Sequence, residues 1–245
     1  MWRGLICFIT VLLLGFIPEA KAQFLFDFEG NRAFSGYNRI QIPGDVGTRF
    51  DANDLGSSGT TTLRFRAGYR IACKHDVLFL YAPFQQEYRG RLGEDVMFQN
   101  TIFDGANPTN VAYTFNSYRL TYRYFFLWGD QFRMAAGLTG KIRDASIMLS
   151  QGDQMDIKSD FGVVPLIHLY AEYKLGGRFG ILLEGDGLAT PMGRAFDYQL
   201  AIPYSLTEHL TARVGYRILE GGADVQEVYN FSMFHYGLVG ASYNF

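Results

Sequence analysis

The 245-residue sequence predicts an all-β protein: an antiparallel up-and-down transmembrane β-barrel of about ten strands, with roughly 8 or 12 as alternatives. Three observations carry that prediction. Apolar and polar residues alternate in one segment after another, as the two faces of a strand require. Tight turns alternate with long links along the chain. The bulky apolar side chains are also too many for the inside of a small barrel. Composition agrees: 48% hydrophobic, 16% aromatic and 19% charged residues, with 28 Gly and 7 Pro, exclude a disordered or collagen-like chain. The 22 Lys+Arg stand against 24 Asp+Glu, so there is no basic surplus for bulk binding of nucleic acid.

Residues 1–22 read as a signal peptide for Sec-type export. Arg3 precedes an apolar run from Leu5 to Ile17, and Ala20-Lys21-Ala22 forms a small-residue cleavage site. The run is shorter than the about 20 residues a membrane helix needs. The expected organisation is a signal peptide over 1–22 and one barrel domain over 23–245. Cys7 lacks a lipobox and leaves with the signal, so Cys73 has no internal disulfide partner.

The strands follow in chain order, near 23–31, 60–72, 76–89, 111–126, 131–148, 161–174, 179–189, 194–205, 210–220 and 229–245. In the second of these, Leu63, Phe65, Ala67, Tyr69 and Ile71 form one face; Arg64, Arg66, Gly68 and Arg70 form the other. Tyr118, Leu120, Tyr122, Tyr124 and Phe126 alternate with Arg119, Thr121 and Arg123. Leu210, Ala212, Val214, Tyr216 and Ile218 alternate with Thr211, Arg213, Gly215 and Arg217. Pro83 interrupts the third strand, because proline has no N–H for the ladder. Tight turns fall at Lys74-His75, Trp128-Gly129-Asp130, Gly176-Gly177-Arg178 and Thr207-Glu208-His209. Long links are expected near 32–59, 90–110, 149–160 and 221–228, with a shorter one at Thr190 to Gly193.

A soluble lipocalin-like barrel or sandwich also alternates. Side-chain size decides between them. The polar faces carry Gly68, Gly137, Gly215 and Gly240, which suit a crowded interior, so the Phe, Tyr and Leu faces belong against lipid. Tyr124, Phe125, Phe126, Trp128, Phe132, Tyr173, Phe179 and Tyr204 gather near the tight turns, as an interfacial aromatic girdle does.

The last strand carries His235, Gly237, Val239, Ala241, Tyr243 and Phe245 on one face. Its ending, Tyr243-Asn244-Phe245, resembles the C-terminal insertion signal of bacterial outer-membrane barrels, with Tyr243 and Phe245 as the signal residues. As a whole pattern the chain looks like the small single-chain OmpA-like and OmpW-like barrels. That resemblance implies a cell outer membrane in a Gram-negative envelope. It also implies contact with outer-membrane lipid and lipopolysaccharide, and insertion by the barrel-assembly machinery with periplasmic chaperones. A monomer that binds no nucleic acid is the expected state.

Inside such a barrel the dominant chemistry is arginine against carboxylate. Arg66 to Arg70, Arg119 to Arg123 and Arg213 to Arg217 repeat one pattern, with both arginines inward and a Tyr outward. Counting from the tight turns predicts a lower layer of Arg70, Arg123, Arg133 and Arg213 with Asp27, Glu172 and Glu184. A middle layer would hold Arg66, Arg119 and Arg217 with Glu29, Asp186 and Asp197. Buried charges need partners, so a plugged lumen serving envelope structure or surface interaction is the first expectation. The alternative is a narrow or gated pore for small anions. Arg64, Lys141, Arg143 and Lys174 also point inward, so cations exceed the six inward acids.

An outer-membrane lipid-modifying enzyme or protease is a third reading. Catalysis needs a base beside its partner, and the four histidines offer no such pair. His75 and His209 are expected in turns, His168 as a hydrogen-bonded lumen residue and His235 towards lipid. No catalytic, cofactor or metal motif is present, so the chain reads as a non-enzyme without a cofactor. The expected outer loops are rich in Asp45, Asp51, Asp54, Glu94, Asp95, Asp104, Asp153, Asp156, Asp160, Glu220, Asp224 and Glu227. These oxygens are expected to be solvated, with weak divalent-ion binding as the alternative.

Overall fold

The computed structural model describes residues 23–245, and the signal peptide expected over 1–22 lies outside the described residues. From the N-terminal side the elements are β1 (Gln23–Gln41), the short β2 (Phe50–Asp51), a 3-10 turn at Ala52–Leu55, β3 (Thr60–Ile71), β4 (His75–Ala82) and β5 (Gln85–Arg91). Next come β6 (Val96–Phe98), β7 (Thr101–Phe103), β8 (Pro108–Trp128), β9 (Phe132–Gln151) and β10 (Gln154–Gly176). The chain ends with β11 (Phe179–Thr190), β12 (Gly193–Ser205), β13 (Leu210–Val225) and β14 (Val228–Asn244).

Successive strands pair antiparallel, and β14 closes on β1 with Leu25 opposite Asn244 and Gln41 opposite Tyr229. Closure leaves no open edge, the condition for a sheet to cross a membrane. β4 and β5 act as one barrel strand. Both pair with β8 in a single register, Ala82 opposite Ser117 and Gln85 opposite Thr114, and the gap falls at Pro83. With β2 a flap on β1 and β6–β7 a separate hairpin, the ring has about ten strands, in accord with the periodicity.

The links differ from expectation. Strands fill most of 149–160 and 221–228, where two-residue turns at Gly152-Asp153 and Gln226-Glu227 join β9 to β10 and β13 to β14. β1 likewise continues to Gln41. The long connections are therefore 42–59 and 92–107, both at the loop end. In β10 the alternation continues, Met155, Ile157 and Phe161 against Asp156, Lys158 and Asp160, whereas Gly221, Gly222 and Ala223 of β13 give no apolar–polar contrast.

The outer face carries Phe26, Phe28, Phe65, Leu120, Tyr122, Leu138, Val163, Leu183, Leu200 and Val214, all exposed. Such an apolar belt is favourable only against hydrocarbon. Near the turn end Phe132 meets Tyr173, Phe179 meets Tyr204, and Tyr243 packs 4.7 Å from Phe245 as an aromatic girdle. Phe125 and Trp128 depart from the expected girdle. Phe125 shares the inward parity of Arg123 and is 1% exposed, and a bulge between Phe125 and Leu127 carries Trp128 opposite the inward Arg133. His75 also departs from expectation: it opens β4 rather than lying in the turn, and its Nδ1 is 2.7 Å from the Tyr122 hydroxyl.

Candidate functional site in the barrel lumen

Period-two strands deliver alternate side chains from every wall into one tube, and the lumen is filled in tiers from the turn end upwards. The floor is aromatic. Trp128 lies under the guanidinium groups of Arg70 and Arg133 at 4.9 and 4.4 Å, and Arg123 stacks on Tyr170 at 4.3 Å.

Above it lie two Arg–carboxylate clusters with His168 between them, its ring 3.7 Å from Glu184 and 2.9 Å from Asp186. Asp76 accepts from Arg70 at 2.7 Å and from Arg123 at 2.8 Å. Arg123 continues to Glu184 at 2.8 Å, and Glu184 also meets Arg66 at 3.0 Å and Gln199 at 2.9 Å. Arg119 divides its two terminal nitrogens between Asp186 at 2.7 Å and Asp197 at 2.5 Å. Asp186 takes two more hydrogen bonds, from Thr139 and from the ring of His168. Over the intervening β14, Arg213 pairs with Asp27 and with Glu29 of β1, while Arg217 reaches Glu29 at 3.1 Å and Asp197 at 3.6 Å. Gly240 makes this possible, since a Cβ there would sit 2.8 Å from the Arg213 guanidinium carbon.

The expected lumen residues are thus gathered in the lumen, but not in two separate layers. Arg66, expected in the middle layer, pairs with Glu184 of the lower one, and Arg213, expected low, also reaches Glu29 of the middle one. An arginine side chain spans more than the about 7 Å between successive inward residues on a strand, so it bridges tiers. Arg133 and Glu172 meet more loosely, at 3.6 Å near the floor. Asp76, 0% exposed, was not among the expected residues. Its even number matches inward Leu78 and Leu80, which is the signal that would have found it. Asp160, expected in a solvated loop, pairs with Arg143 on the inner wall. With these two acids the expected cation surplus narrows.

The upper lumen is apolar. Phe84 packs edge-on against Phe234 at 4.5 Å, and the Tyr113 hydroxyl lies 3.2 Å from Ser232 Oγ, both joining strands that are not neighbours in the sheet. Ile42, Leu55, Tyr88, Val96, Phe98 and Phe103 extend this core beneath the long links. On the β9 to β13 side a cavity of about 410 Å³ remains, lined by Lys141, Ile147, Leu188, Ala195 and Leu219 among others.

No family model matches the chain, and no curated protein matches it in sequence. Solved structures do. The outer-membrane protease OmpT from Escherichia coli aligns with a TM-score of 0.53 and 10% identity, covering 93% of this chain and 97% of that one. The fold is that of an outer-membrane barrel. Neisserial surface protein A aligns more loosely, with a TM-score of 0.40 and 15% identity over 93% of this chain and 100% of that one. Closed topology and an apolar belt around a charged interior place the chain in a bacterial outer membrane.

The four histidines and several of the outer acids have evident structural partners. His235 contacts the Tyr216 hydroxyl on the outer face, and His209 Nδ1 lies 2.9 Å from the Asn244 carbonyl. Asp51 accepts from two backbone N–H groups, Asp156 from Gln99, and Glu220 from Arg194 and Tyr37. Among the described residues no group of three or more His, Cys, Asp or Glu is placed to hold a metal ion.

Proposed function

We propose that the protein is a monomeric, non-conducting outer-membrane barrel that serves envelope structure or surface interaction. One observation carries this reading. Charge-assisted hydrogen bonds cross the lower lumen at several heights, from Arg123 to Asp76 and Glu184, from Arg119 to Asp186 and Asp197, and from Arg217 to Glu29. A tube of about ten strands is narrow to begin with, and open aqueous channels belong to barrels of about 16. Lipid and lipopolysaccharide are the proposed surroundings, with Tyr243 and Phe245 read by the barrel-assembly machinery during insertion. Reconstitution in a planar bilayer tests the proposal: no stable openings are expected, and large persistent ones would overturn it. The reading is also non-enzymatic, since His235 faces Tyr216 rather than an acid or a nucleophile; turnover of lipid A or peptides by the purified barrel would contradict it.

A further inference from the structure

We propose that the cavity on the β9 to β13 side of the upper lumen binds a small amphiphilic monoanion, a carboxylate on an apolar body, which enters from the loop end. At about 410 Å³ the cavity lies within the range of about 300–1,000 Å³ usual for small-molecule sites. Its walls are mainly apolar, from Tyr113, Phe115, Ile147, Val164, Leu188 and Leu219. Space exists because the residues opposite are small. Ala195, Gly221 and Ala223 line this side, whereas Phe84, Tyr88 and Phe234 fill the other. The turn residues Thr190 to Gly193, with Val225 and Val228, form the mouth, where Met192 is 66% exposed.

The second observation is Lys141, at the base of this cavity. It is 3% exposed, and among the described residues its ammonium has no carboxylate within 4.0 Å and no hydrogen-bond partner. Its one specific contact is the Phe115 ring, 4.4 Å away. The buried arginines of the lumen behave differently, each meeting an acid. Even Arg143, on the same wall, has Asp160. Below Lys141, Asp186 and Asp197 are engaged by Arg119. A buried ammonium without an acceptor is costly, and an anion supplied from outside satisfies it. The cavity's other charged residues are Arg143 paired with Asp160, Arg194 paired with Glu220, and Lys158, so the lining carries a net positive charge. The apolar side chains of the wall suit an alkyl or aryl body, while those two charged pairs answer each other.

Decanoate is a suitable probe, offered to the refolded barrel in lipid nanodiscs, with protein-free discs measuring partition into lipid. One saturable site per barrel is expected. The neutral analogue 1-decanol should bind at least tenfold more weakly, Lys141→Met should lose at least tenfold, and Ala195→Phe should abolish the site by filling it. Lys141→Met removes an unpaired charge and is expected to fold. Should it not, the decanoate against decanol comparison on the unchanged protein decides alone. Equal binding by Lys141→Met and the parent, equal binding of acid and alcohol, or uptake that never exceeds the protein-free discs would each overturn the proposal. Conductance does not enter this test, so a barrel that conducts would refute the sealed-lumen reading without touching this one.

Discussion

The lower and upper lumen solve one packing problem with opposite chemistry. Near the turn end the tube is filled by guanidinium and carboxylate groups, each answering several others: Glu184 alone meets Arg66, Arg123 and Gln199. Nearer the loop end it is filled by rings, with Phe84, Tyr113, Phe234 and Tyr236 in contact across the tube. An ion network tolerates no missing member, because each deletion leaves a buried charge. An aromatic tier tolerates gaps at the cost of contact, and the cavity lies in that tier. Specificity of closure comes from the lower half, and room for a guest from the upper.

That contrast is open to measurement. The largest loss is expected for Glu184→Leu, which leaves Arg66 without a carboxylate partner. Removing one side of a buried pair costs about 3–5 kcal/mol, readable in urea titrations of the barrel in lipid vesicles. A loss below about 1 kcal/mol would mean the network is solvated and the lower half resembles a wet pore. Phe234→Ala should cost about 3 kcal/mol in the same titration, the usual range for emptying a buried aromatic site. If it costs nothing, the upper rings do not form a packed tier. The smallest effect belongs to Arg133→Ala. Its partner Glu172 is 3.6 Å away and both side chains are partly exposed, at 27% and 19%, so a change within about 1 kcal/mol is expected. A cost equal to that of Glu184→Leu would show that the floor is as dry as the network above it.

Much of this was legible residue by residue. The strands around Leu63, Tyr118 and Leu210 announce themselves by parity, and the same parity sends Arg66, Arg119 and Arg217 inward. Phe125 is equally legible, since its odd number gives it the inward parity of Arg119 and Arg123 despite its closeness to a turn. Trp128 is not, since a bulge between it and Phe125 shifts the register and nothing in the local sequence marks the extra residue. The β10 extension is legible, since Met155, Ile157 and Phe161 alternate with Asp156, Lys158 and Asp160, whereas the β13 extension through Gly222 is hidden, because Gly221, Gly222 and Ala223 have no side chains large enough to mark a face.

The sequence by itself determined the closed, membrane-spanning sheet and the sign of each face, because a strand's period is local and needs no knowledge of its partner. Only the tertiary structure decided who pairs with whom inside. Arg213 meets Asp27 and Glu29 from 186 and 184 residues away, and among the described residues no carboxylate lies within 4.0 Å of the Lys141 ammonium. Those outcomes depend on barrel curvature and on which walls face each other across the tube, quantities that exist only once β14 has closed on β1.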